Sequence, residues 1–90
     1  MAQPQITTHA WQRARQRNAD PTTLFYTLQR AAIVNTARAH APLRIALSGV
    51  LPEQLVVVRY CERRQRVECL TVLGAGQRPN AWTPVVEVAA

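Results

Sequence analysis

The run LVVVRYC at residues 55–61 constrains this fold more than any other stretch. A strand with one face in water alternates apolar and polar side chains, and four apolar residues in a row leave no polar face. The run therefore predicts a strand at the centre of a sheet. After it, ERRQR makes a charged turn and VECLTVLG returns as a further strand. That hairpin, centred near Gln65, brings Cys61 and Cys69 into rough register on adjacent strands. Before it, Leu43, Ile45 and Leu47 alternate with Arg44, Ala46 and Ser48, the period of a half-buried strand ending at Gly49. VLPEQ turns the chain between the two. Three or four antiparallel strands follow from these patterns.

Helical signals precede the strands. Thr7 or Thr8 is a suitable N-cap for a helix running to about Asn18. Ala10, Trp11 and Ala14 give it an apolar patch, while His9, Arg13 and Arg17 recur every fourth residue and share another stripe. A second helix opens on Asp20 as N-cap, with Pro21 at the first helical position, where its missing N–H costs nothing. Leu24, Phe25, Leu28, Ala31 and Ala32 form its apolar stripe. The short link predicts a helical hairpin. NTARAHAP then reads as a loop closed by Pro42.

At the other end, AGQRPNAWTPVVEVAA holds a loop and at most a short edge strand at Val85–Val88, because Pro79 and Pro84 bar anything longer. Trp82 there either anchors the tail in the core or stands exposed as a platform for a base. A short strand at Gln5–Thr7 is also legible. The fold expected is one α+β domain over residues 1–90, with 1–5 and 75–90 as terminal extensions. Two N-terminal helices cover one face of the antiparallel sheet.

Charge points to the partner. Eleven arginines stand with no lysine against five acids, for a net charge of +6. Guanidinium groups are permanent, planar forks suited to phosphate and carboxylate. RNA or another nucleic acid is the partner this favours, with an acidic protein, such as an antitoxin or host protein, as the alternative. No apolar run is long enough for a membrane helix, no export signal is legible, and the expected setting is the cytoplasm. Cys61 and Cys69 are then expected to be reduced thiols. With His9 and His40 they match no zinc spacing, and GAG at 74–76 meets Pro79 too soon to open a dinucleotide-binding helix. No metal and no cofactor is expected.

The opening ITTHAWQRARQRNADPTTLFYTL resembles a small bacterial and phage family of domains of unknown function whose motif is His-Ala, two residues, Arg, three residues, Arg. His9, Ala10, Arg13 and Arg17 carry the match, with Asp20 to Leu24 for a capped second helix and Thr71-Val72 for the last strand. That family is similar to the compact ribonuclease-toxin fold of barnase and the RelE-type toxins. The resemblance spans residues 5–73. It departs at Asn18-Ala19, where the family has Gly-Ile, and in the tail beyond Leu73, which puts in doubt whether the sheet's functional face stays open.

The resemblance implies a toxin-like, metal-independent ribonuclease. Such chemistry needs a base for the 2′-hydroxyl proton and fixed positive charge on the phosphorane-like transition state. His9 is the candidate base, with Arg13 and Arg17 as phosphate grips. Arg59, Tyr60 and Arg66 are the candidate second half, and Thr71 a hydroxyl to orient the histidine or bond a phosphate oxygen. Arg63, Arg64, Arg66 and Arg78 are candidates for nucleic-acid contact. Each has a plainer reading: His9 as a helix cap, Arg13 and Arg17 braced on strand acids such as Glu68, Tyr60 at the core's edge, and the arginine run as a solvated hairpin tip. The functional alternative is a non-catalytic phage or prophage protein whose basic face binds nucleic acid or an acidic host protein.

Overall fold

The computed structural model describes residues 3–88. Positions 1, 2, 89 and 90, the outermost parts of the expected extensions, lie outside the described residues. Three helices and a five-stranded sheet make an α+β architecture: β1 (Gln5–Ile6), α1 (Thr8–Gln16), α2 (Pro21–Thr27), α3 (Ala31–Ala39), β2 (Ile45–Leu51), β3 (Gln54–Cys61), β4 (Arg66–Val72) and β5 (Val85–Glu87). Among the described residues no helix is long and apolar enough to cross a membrane.

The sheet order is β1-β4-β3-β2-β5, so the apolar run does lie at the centre. The three middle strands are antiparallel, but the outer two pair in parallel, β1 with β4 and β5 with β2. The sheet is therefore mixed and five-stranded, which corrects the expectation of three or four antiparallel strands. The short strands expected at Gln5–Thr7 and Val85–Val88 are present as β1 and β5: Gln5 and Ile6 pair with Glu68 and Cys69, and Val85 to Glu87 pair with Ala46 to Ser48, so part of each expected extension belongs to the sheet. The β3–β4 hairpin turns where expected. Its register, however, sets Cys61 against Arg66 and Cys69 against Val58, so the two thiols are not opposite one another. Both are free.

Local chemistry sets the helix ends. The Thr7 hydroxyl accepts the Ala10 N–H at 3.1 Å, and the Asp20 carboxylate accepts the Thr22 N–H and the Thr23 hydroxyl. Those bonds, the hydroxyl's first, hold the Asp20 carboxyl below its usual range. Helix α1 stops at Gln16 because Asn18 turns left-handed, at φ 57°. The Asn18 N–H then bonds the Arg15 carbonyl and the Ala19 N–H the Ala14 carbonyl, the paired closure that ends many helices on glycine or asparagine.

The expected second helix is in fact two. Helix α2 ends at Thr27, and α3 covers much of the expected loop. One continuous helix would turn Ile33 about 140° away from Leu28. The break lets Leu28 and the Ile33, Val34, Ala37 set all reach one core, and leaves Ala31 and Ala32 exposed. Nor do α1 and α2 pack mainly as a helical hairpin: α1 lies chiefly on β4, with Ala10 and Ala14 fully buried. Strand β2 begins at Ile45 rather than Leu43, which is exposed.

The helices fill one face of the sheet over Ile45, Leu47, Val56, Val58, Tyr60, Val67, Cys69 and Val72. Ala46 and Val57 pair with each other on the opposite face, outside that cluster, yet both are buried. To begin β5 in parallel with β2, the chain leaving β4 must run back along the sheet. Residues 73–84 are thus a strap that carries the chain from the end of β4 back to the start of β2. The Leu73 N–H bonds the Leu55 carbonyl at its start, and the Pro84 carbonyl accepts the Ala46 N–H at its end. Gly49 (φ 93°) lets the finish close tightly, since a Cβ there would sit 2.8 Å from the Val88 carbonyl oxygen. Trp82, on the strap, is 92% exposed and anchors nothing.

Candidate functional site

Helix α1 and the strap build one depression between them. His9, Arg13, Arg17, Thr71, Leu73, Gln77 and Arg78 line an open hollow of about 460 Å³. The fourfold spacing places His9, Arg13 and Arg17 on one stripe, and the burial of Ala10 and Ala14 turns that stripe outward along the β4 edge. Thr71 and Leu73 come from the strand end beneath it. Gln77 and Arg78 arrive with the strap.

His9 is exposed and, among the described residues, its ring makes no hydrogen bond; the Thr71 hydroxyl likewise has no partner there. The cap on α1 is Thr7, not His9. Arg13 donates to the Gln16 amide oxygen at 3.0 Å. Arg17 is differently placed. Its guanidinium donates to the Val72 carbonyl at 2.7 Å, and its own carbonyl accepts the Gln54 amide. That arginine ties the helix end to the sheet through backbone groups rather than through Glu68. Gln77 fixes the strap nearby, its side-chain oxygen accepting the Gly74 N–H.

No carboxylate lines the hollow, so the cationic side chains have no internal counter-ion there. The first N–H groups of α1, at Thr8 and His9, open the same end of the helix, where unspent donors and the helix dipole favour an anion. Together these groups can hold a phosphate against an exposed imidazole and a free hydroxyl.

The other candidates go elsewhere. Arg59 and Arg66 both pair with Glu68, at 3.3 and 3.5 Å. Tyr60 points into the helix-side core, its ring under the Arg38 guanidinium at 5.7 Å. These three do not form a second half of the His9 site. The reason is strand parity: register puts Arg59 directly across from Glu68, while Tyr60 faces the opposite side. Arg63 and Arg64 are exposed on the hairpin tip. His40, at the end of α3, donates its Nδ1–H to the Thr36 carbonyl, 2.9 Å away. Among the described residues no three His, Cys, Asp or Glu side chains gather as metal ligands would.

Sequence reasoning missed Gln77, because only the return of the strap brings it beside α1. It also missed a larger groove on the far flank of α1. Gln3, Pro4, Gln5, Ile6, Trp11, Thr22, Phe25, Tyr26, Arg64 and Arg66 line about 810 Å³ there. The sequence pattern puts Trp11 in the apolar patch of α1; in the fold it is 42% exposed and forms a wall of this groove. Comparison of the chain with protein-family models, with curated proteins and with solved structures finds no match.

Proposed function

We propose that this chain is a toxin-like RNA-binding protein and that the hollow between α1 and the strap holds the phosphodiester backbone. One observation carries the reading: His9, Arg13 and Arg78 converge on an open site without a carboxylate. Among the described residues the ion pairs all end on Glu68, which occupies only Arg59 and Arg66. Arg13 and Arg78 are left without a carboxylate among those residues, and guanidinium groups so placed suit an external anion.

The finer reading of the fold, as a relative of the RelE-type and barnase ribonucleases, draws support from the departures themselves. Asn18 performs the left-handed turn for which glycine is the usual choice, and Ala19 is buried in place of the larger apolar residue. A reducing cytoplasmic setting accords with the two free thiols.

Metal-independent cleavage is the second reading, favoured by the exposed His9 imidazole beside the unengaged Thr71 hydroxyl. His9 would take the proton of the ribose 2′-hydroxyl, whose oxygen attacks the phosphorus. The 5′-oxygen leaves with a proton from water, giving a 2′,3′-cyclic phosphate. No carboxylic acid lines the hollow, so water must protonate the leaving oxygen.

Binding is tested by titrating RNA at several salt concentrations. Affinity should fall steeply with salt, since each phosphate contact releases counterions; a flat dependence rejects the site. Cleavage is tested with a chelator present: wild type cuts RNA and His9→Ala does not. If RNA stays equally intact with both, the protein is a binder only. Capture of an acidic host protein after nuclease treatment, with no affinity for RNA, favours the non-catalytic phage or prophage alternative.

A further inference from the structure

We infer that the groove on the far flank of α1 receives an unpaired base, making the ligand single-stranded; this rests on the RNA-binding reading above. The groove is built of aromatic and cationic groups. Trp11 is 42% exposed and Tyr26 65% exposed, leaving much of two large rings open to a partner. Phe25 meets Tyr26 edge-on, with centroids 5.6 Å apart and planes at 82°, a contact that leaves the faces of the Tyr26 ring available. Arg64 and Arg66 close the side toward the hairpin.

That pairing of exposed rings with guanidinium groups is what an unstacked base and its phosphate require. A π-face of the base lies on the ring, and the charge tracks the backbone. Arg66 has donors to spare: its bond to Glu68 is long, at 3.5 Å, and its Nε–H is buried without an acceptor. A shift toward an incoming acceptor would satisfy a donor the protein leaves unmet.

Position ties the groove to the first site. His9 and Trp11 are two residues apart, about 200° around the helix, so the two hollows flank α1 on opposite sides. A strand crossing its exposed first turn, at Thr8 and His9, spans a helix diameter of about 10–12 Å and enters both. A duplex, whose bases are stacked on one another, offers the rings no free face.

Binding is measured with three probes of about ten residues each: a mixed-sequence RNA strand, the duplex of that strand, and an abasic sugar–phosphate chain. Wild type should prefer the single strand to the duplex. Trp11→Ala and Tyr26→Ala should each weaken single-strand binding about tenfold while leaving the abasic chain unaffected, whereas Arg13→Ala weakens both. In a Trp82→Phe background, Trp11 fluorescence should be quenched by the RNA strand; Tyr26→Ala and Trp82→Phe should keep the circular dichroism of the wild type. Equal binding of duplex and strand, or equal loss on the abasic chain, overturns the inference and leaves the phosphate site standing. If no probe binds, the RNA-binding reading itself has failed. A concentration-dependent dimer that Tyr26→Ala dissolves would instead make the groove a self-association surface, and also overturns it.

Discussion

Arg59 and Arg66 of the central strands and Arg13 and Arg78 beside α1 are the same residue with opposite fates. Arg59 and Arg66 meet a carboxylate of the chain itself, Glu68, one across the ladder and one two residues along the strand. Arg13 and Arg78 meet none among the described residues and border an open hollow with His9. The difference lies in where the scarce acids fall, since only five are present to eleven arginines. Charge density alone would choose the hairpin as the binding site, because Arg63, Arg64 and Arg66 form the densest run. Of that run only Arg66 is paired, while Arg63 and Arg64 stand exposed at the tip; what sets the α1 side apart is a hollow in which unpaired guanidinium groups meet an imidazole.

The contrast can be broken most decisively by reversing charge in the hollow. Arg13→Glu with Arg78→Glu should lower RNA affinity by about 100-fold or more, at roughly 1.5–3 kcal/mol for each charged hydrogen bond to phosphate that disappears. Arg59→Ala should change it little. Equal losses in anisotropy titrations would erase the distinction between the two sets. Arg17 belongs to neither, since its guanidinium is spent on the Val72 carbonyl. Arg17→Ala should cost about 1–2 kcal/mol in urea unfolding and affect binding less than Arg13→Ala does.

The stability of the fold limits the pH at which the two sets of arginines can be compared, and Cys69 helps set that limit. Burial pushes its thiol from 9.0 up to about 12, so above about pH 9 the unfolded chain ionises while the folded one does not. Stability therefore falls as pH rises from about 9 toward 12, with a slope of at most about 1.4 kcal/mol per pH unit. Cys69→Val should remove that part of the decline in pH-dependent melting. Glu68→Gln releases Arg59 and Arg66. It should raise affinity about two- to fivefold and steepen the salt dependence, while costing under about 1 kcal/mol of stability because the pairs are partly exposed. The smallest effect is Asn18→Gly, which relaxes the left-handed turn and should stabilise by a few tenths of a kcal/mol. Asn18→Ala should destabilise.

Short-range chemistry made much of the fold legible. Asp20-Pro21 marks a helix start, LVVVRYC a central strand and ERRQR its turn, because caps, period and turn residues act over a few positions. Helix α3 was hidden since Arg30 caps it without a side-chain bond, and Asn35 and Thr36 are weak helix formers. The two edge strands were legible as short segments, but at two and three residues nothing in them shows that they pair in parallel. Five of the seven residues that line the candidate site, His9, Arg13, Arg17, Thr71 and Arg78, were candidates in the sequence, the first three because residues 9, 13 and 17 share a helical stripe at any register. The fate of Arg59, Tyr60 and Arg66 depended on strand parity and on one cross-strand partner, which only the folded sheet reveals. Trp11 sits beside two buried-stripe alanines in sequence, and its exposure depends on where α2 passes.

Burial at the centre of the sheet has a consequence for how anything can approach this molecule. With helices packed on one side of the sheet and Ala46 and Val57 buried on the other, the middle strands offer little open surface at their centre. Hollows with exposed charge and aromatic rings lie instead along the two flanks of α1. Under the RNA-binding proposal, a long, thin polymer fits such a rim better than a globular body does.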